Sequence, residues 1–168
     1  MRNTLLQGLR PPLTEKAPGN DDPELAELAA AVTTAAERTL GRSLAIRHVD
    51  AGSCNGCELE IHALGNAFYD LERFGFRFVA SPRHADVLLV TGPVTHNMRE
   101  ALMRTYDATP APKWVVASGA CAADGGVFVG SYAVAGGVSV DLVIPGCPPS
   151  PATLLKGLLA LVRGVTTP

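Results

Sequence analysis

The stretch Leu44-Ala45-Ile46-Arg47-His48-Val49-Asp50-Ala51-Gly52-Ser53-Cys54-Asn55-Gly56-Cys57-Glu58-Leu59-Glu60 decides how the rest of the chain is read. Its first part, Leu44–Val49, is a short β-rich run closed by Asp and Gly. Its second part turns through Gly52, Asn55 and Gly56 into a helical pattern that continues with Ile61, Leu64, Phe68 and Leu71 on one face. A strand that feeds a helix through a glycine-bearing turn opens a βαβ unit. Asn55 with Glu58 three residues later reads as a variant capping box, so the helix is expected to start beside Cys57.

The same alternation continues downstream. Phe76–Ala80, Val87–Thr91, Trp114–Ala117 and Leu142–Ile144 read as further strands, each bounded by Gly, Pro, Ser or Asp. The helix after the third strand presents Met98, Ala101, Leu102, Thr105 and Tyr106. The last helix opens with Ser150 as cap and Pro151 at its first position, then presents Leu154, Leu155, Leu158, Leu161 and Val162, with Gly164 closing it. The expected fold is therefore α/β: a mostly parallel sheet of about five strands with helices on both faces. Five glycines between Gly125 and Val140 make that segment a long ordered loop. Upstream, residues 1–21 carry Pro11, Pro12, Pro18 and Gly19 without any period and read as an extended arm. Asp22-Pro23-Glu24 starts an N-terminal helix over 22–41, with Leu25, Leu28, Ala29, Val32 and Ala36 at helical spacing. Residues 42–168 form one domain.

Composition narrows the function classes. The 168 residues are 47% hydrophobic and 18% charged, rich enough in apolar matter to imply buried partner surfaces. A net charge of −2 without a Lys/Arg cluster argues against nucleic-acid binding. Apolar runs break well before the ~20 residues of a membrane span, and residues 1–16 have no apolar core of a secretory signal. A cytoplasmic location is expected. In a reducing compartment the four cysteines read as metal or redox ligands rather than as two disulfides.

Cys54 follows the first strand, Cys57 lies one turn beyond it, Cys121 follows the fourth strand and Cys147 the fifth. In an open parallel sheet all four reach one rim, outside the carboxyl ends of the strands, where such folds bind ligands. Each ligand stretch has a glycine close before the sulfur: Gly52-Ser53-Cys54-Asn55-Gly56-Cys57, Gly119-Ala120-Cys121 and Gly146-Cys147-Pro148-Pro149. A Cys-x-x-Cys pair with two distant cysteines suits an iron–sulfur cluster or structural zinc, and spacing does not choose between them. A flavin-binding domain fits less well, because cysteines stand where a Ser/Thr-rich phosphate loop is wanted.

Ala51-Gly52-Ser53-Cys54-Asn55-Gly56-Cys57-Glu58-Leu59-Glu60, Ala120-Cys121 with Gly125-Gly126, and Ile144-Pro145-Gly146-Cys147-Pro148-Pro149-Ser150-Pro151 together resemble the small subunits of membrane-bound [NiFe] hydrogenases and formate hydrogenlyase-type complexes. They also resemble the homologous cluster-bearing subunit of respiratory complex I. The similarity runs from about Leu44 to Leu161. It implies a flavodoxin-like domain with one proximal [4Fe–4S] cluster on Cys54, Cys57, Cys121 and Cys147. The complex I members carry adjacent cysteines at the first motif, whereas Cys54-Asn55-Gly56-Cys57 has the hydrogenase form. The implied role is electron transfer without independent catalysis. The implied partners are a large catalytic subunit that is [NiFe]-bearing or forms a quinone site, a ferredoxin-like electron-transfer subunit and membrane subunits. The implied location is peripheral, on the cytoplasmic face of the membrane. Two alternatives are a complex-I-like quinone oxidoreductase and a zinc-stabilised scaffold.

Other residues carry weaker signals. Glu58, Glu60 and His62 flank the first motif and could move protons, although the helix dipole alone accounts for acids in a first turn. His48, His84 and His96 stand alone and read as surface or strand-end residues. Asp124 and Tyr132 fall in the glycine-rich loop, as interface or solvated residues, and Trp114 reads as core.

Overall fold

The computed structural model describes residues 42–162 and 164. The expected arm over 1–21 and helix over 22–41 lie outside the described residues. Five strands, β1 (Leu44–Asp50), β2 (Phe76–Phe78), β3 (Val87–Thr91), β4 (Trp114–Ser118) and β5 (Leu142–Ile144), form one sheet in the order β2-β1-β3-β4-β5. Every pairing is parallel. This is the doubly wound order in which the chain reverses direction of travel between β1 and β3.

Strand alternation sorts the apolar side chains onto two faces. Leu44, Ile46, Val87, Leu89 and Val116 join one core, and Val49, Leu88, Val90 and Val115 join the other. β3 is buried along its whole length, because both its faces are covered. Helices α1 (Gly56–Ala63) and α4 (Pro151–Val162) cover the first face. There Ile61 packs with Leu154, Leu155, Leu158 and Leu159. Helix α2 (His96–Ala108) covers the second with Leu102, Met98 and Tyr106. Helix α3 (Ala120–Asp124) is a single short turn at the rim.

Two contacts fix the geometry of this frame. Asp86, at the foot of β3, accepts hydrogen bonds from the Ala45 N–H at 2.9 Å and from Arg42 Nη1 and Nη2 at 2.8 and 2.6 Å. The carboxylate thereby ties the start of β1 to β3 and raises the Arg42 pKa, chiefly through the hydrogen bond. On the opposite edge, a Cβ at Gly157 would lie 2.6 Å from Ile144 Cγ1. A glycine in the middle of α4 is thus what lets that helix lie flat on β5.

The structure departs from the sequence reading in places. The first helix ends at Ala63 instead of running to Leu71. Asn66 Oδ1 takes the N–H groups of Phe68 and Tyr69, both at 2.9 Å, and this local turn outcompetes the helix. Leu71 is buried from a separate 3-10 turn, Leu71–Phe74, while Phe68 is 49% exposed. The capping box is absent: Asn55 has φ +72° and makes no side-chain cap bond. Ala101 is exposed on α2, and Leu159 is a core residue of α4 that the spacing had not singled out. Ser150 does cap α4, its Oγ accepting from Thr153 N at 3.3 Å.

Candidate metal centre

The rim is built loop by loop. After β1, Asp50 Oδ1 accepts from the N–H groups of Gly52 and Ser53 at 2.8 Å each, and Ser53 Oγ accepts from Asn55 N at 3.2 Å. Burial would raise the Asp50 pKa, but the backbone donors Ser53 and Gly52 outweigh it and leave the pKa lowered. This small anionic turn holds Cys54 exposed and delivers Cys57, half-buried, on the first turn of α1.

After β4, Gly119 N donates to Ile144 O at 2.8 Å and Ala120 N to Gly146 O at 2.9 Å, so the Cys121 and Cys147 loops are zipped together. Gly119 has φ +85° and ψ +162°, a region essentially reserved for glycine. A Cβ there would stand 3.0 Å from Cys57 Sγ. After β3, Gly92 comes so close to the first loop that a Cβ would lie 2.6 Å from Ser53 N. The rim therefore has room for sulfur and backbone only.

All four cysteines expected from the sequence meet here. Cys54, Cys57, Cys121 and Cys147 line one cavity of about 120 Å³, together with Gly92, Gly146 and Pro148. All four are free thiols. Burial, then Glu58 and then the neighbouring sulfurs push the Cys57 thiol up to about 11. Burial and then Cys147 likewise raise Cys121. Cys57 Sγ reaches Ser118 O at 3.7 Å as a weak donor. Four thiols converging on one hollow form an all-sulfur donor set of the kind soft metals select. Among the described residues no three Cys, His, Asp or Glu side chains are gathered so as to hold a single metal ion.

Residues 54–161 match the family of the NADH ubiquinone oxidoreductase 20 Kd subunit. The chain belongs to that family. Within it, the chain is 48% identical over 124 residues to formate hydrogenlyase subunit 7 of Escherichia coli (strain K12), covering 71% of this chain and 49% of the relative. It thus spans about half the length of that subunit. A probable membrane-bound hydrogenase subunit of Pyrococcus furiosus is also 48% identical over 124 residues, covering 71% of this chain and 74% of the relative. Among solved structures, a chain of the membrane-bound sulfane sulfur reductase, an archaeal respiratory membrane complex, superposes with TM-score 0.62 at 35% identity. That match covers 73% of this chain and 72% of the other. A chain of an NAD+-reducing [NiFe]-hydrogenase in the H2-reduced state shares the fold, with TM-score 0.54 at 22% identity over 73% of this chain and 93% of that one.

Around the 20 Kd family core the remaining candidates separate. Glu58 is buried, with both carboxylate oxygens lacking a hydrogen-bond donor among the described residues. His48, read from the sequence as an isolated strand residue, is half-buried with Nε2 3.0 Å from Thr91 Oγ1 and 3.6 Å from Glu58 Oε1. Its alternation with Leu44 and Ile46 on one face of β1 was the available signal. Glu60 is half-buried and His62 exposed, and neither joins the sulfurs. Asp124 is exposed and caps its own turn, Oδ1 accepting from Gly126 N at 2.8 Å. Tyr132 is 96% exposed, His84 and His96 are also exposed, and Trp114 packs half-buried against the core. No helix among the described residues is long and apolar enough to cross a membrane.

Proposed function

We propose that this chain is an electron-transfer subunit holding one [4Fe–4S] cluster on Cys54, Cys57, Cys121 and Cys147, within a membrane-associated, hydrogenase-like complex of the formate hydrogenlyase type. The observation that carries this reading is the convergence of four thiols on one 120 Å³ hollow at the carboxyl rim of a parallel sheet. The residues fit the group in three respects. The donors are soft and all sulfur, as iron–sulfur clusters require. The hollow the four thiols line, about 120 Å³, has volume for a body larger than one ion. Burial, and after it neighbouring charge, raises the Cys57 and Cys121 thiols, and that cost is offset when iron replaces their protons. A bound cluster would supply one-electron oxidation and reduction. The protein's own contribution is to seat the sulfurs and to exclude water on the sheet side, where Ser118 and Gly119 are buried.

Bond chemistry belongs, in this reading, to a large catalytic subunit, with a ferredoxin-like subunit and membrane subunits completing the path. The complex would sit on the cytoplasmic face of the membrane. The relatives named for membrane-bound hydrogenase and formate hydrogenlyase support it, as does the apolar loop beside Cys121, where Val127 and Val129 are 80% and 67% exposed. The family description supports a second reading, an equivalent subunit of a quinone oxidoreductase. A structural zinc would use the same four thiols, and metal analysis separates it from a cluster.

The test is anaerobic purification followed by iron, sulfide and zinc analysis with electron paramagnetic resonance. The expected result is a brown protein with about four irons and four sulfides per chain and a reducible signal. Cys121→Ser should lose or convert the cluster. A colourless protein with one zinc per chain, or unchanged iron in Cys121→Ser, refutes the proposal.

A further inference from the structure

A second cavity, of about 390 Å³, adjoins the cysteine rim on the face that carries α1 and α4, and nothing in the proposed electron-transfer role uses it. It opens where β2 stops. Pairing of β1 with β2 ends at Ile46↔Phe78, while β1 continues to Asp50. The walls include His48, Glu58, Ile61, His62, Phe78 and Val79. Glu58 is the residue out of place. Its side chain is only 9% exposed, and neither oxygen has a donor among the described residues.

The neighbouring cations do not neutralise it. His48 Nε2 lies 3.6 Å away but is engaged with Thr91 Oγ1, and burial lowers its pKa, so the ring is neutral near pH 7. Arg47 also lines the cavity, but no ion pair joins it to Glu58 among the described residues. A carboxylate held away from water without a counter-charge is unfavourable unless a cation completes it. One carboxylate is a poor site for a metal ion, and no group of three ligating side chains is present here. The open mouth and the apolar walls Ile61, Phe78 and Val79 instead suit a long methylene stem that ends in an ammonium or guanidinium.

We propose that this cavity receives a lysine or arginine side chain of the partner subunit that covers the cysteine rim, and that Glu58 is its counter-ion. The inference rests on the chain being a subunit of a larger complex. It makes Glu58 a docking residue whose place next to Cys57 fixes how the partner sits over the sulfurs.

The test uses the assembled complex isolated through a tag on this chain. Glu58→Gln leaves the partner's cation buried and unpaired, so the partner should dissociate at least about thirtyfold faster. Glu58→Asp should restore part of the loss, and Glu60→Gln should behave as wild type. Iron per chain, measured on the same samples, should be unchanged in Glu58→Gln. Missing iron in the wild type would sink the cluster assignment without touching the docking result. An experimental structure of the complex should place a partner nitrogen within hydrogen-bond reach of Glu58. Wild-type dissociation of Glu58→Gln, or a cavity filled by water, by an apolar or acidic side chain, or by residues 1–41 of this chain, overturns the proposal.

Discussion

Replacing Gly119 by Ala tests whether the rim is as tightly built as its geometry requires. At φ +85° and ψ +162° a residue with a Cβ is strained by about 1–3 kcal/mol. The added methyl would also lie 3.0 Å from Cys57 Sγ and 3.2 Å from Gly146 O, and displacing packed neighbours adds about 1–3 kcal/mol. The expected loss of folding free energy is roughly 2–6 kcal/mol. Gly136→Ala is the control. Its φ of +73° is also left-handed, but nothing lies within 4 Å of the new Cβ, so only the backbone penalty of about 1–2 kcal/mol applies. Urea unfolding of the full chain, followed by far-ultraviolet circular dichroism under anaerobic conditions, reads the difference as a shift in midpoint. Iron per chain should fall in Gly119→Ala and hold in Gly136→Ala. Equal midpoints and full iron in both variants would refute the argument that backbone at Gly119 makes room for the Cys57 sulfur.

Three further outcomes are expected. Burial lowers the His48 pKa below its ordinary 6.5, so the unfolded chain binds the extra proton first. Stability should therefore fall as pH drops below about 6.5 and stay level above it, with His48→Gln flattening the slope in pH-dependent urea titrations. Gly157→Ala should lower the thermal midpoint despite alanine's better helix propensity, because the methyl would lie 2.6 Å from Ile144 Cγ1; a raised midpoint contradicts the packing of α4 on β5. Asp50→Ala frees the N–H groups of Gly52 and Ser53 and should speed iron loss to a chelator severalfold while costing about 1 kcal/mol or less in stability.

The strands were legible in the sequence because each is a short apolar run with turn residues at both ends. Val87–Thr91 and Leu142–Ile144 match to the residue. β2 is shorter than Phe76–Ala80, since after Val79 N bonds Ile46 O the chain turns away at Ser81 and Pro82. The common rim of the four cysteines was also legible, because parallel strands bring their carboxyl ends together whatever the sequence distance. The end of α1 was misread because the apolar spacing through Phe68 and Leu71 outweighed Gly65 and Asn66, the residues that break it. The burial of Glu58 was not legible. An acid in a first helical turn is ordinarily solvated, and only the pairing of α1 with the His48 face of β1 withdraws it from water.

The strand order has a consequence for how the protein matures. Cys54 and Cys57 hang from β1, whereas Cys147 hangs from β5, the edge strand that follows all the others in the chain. Chain in which β5 has not yet paired with β4 brings three of the four thiols to the rim. In the proposed role, cofactor loading would act as a checkpoint, admitting only chains whose edge strand β5 has paired.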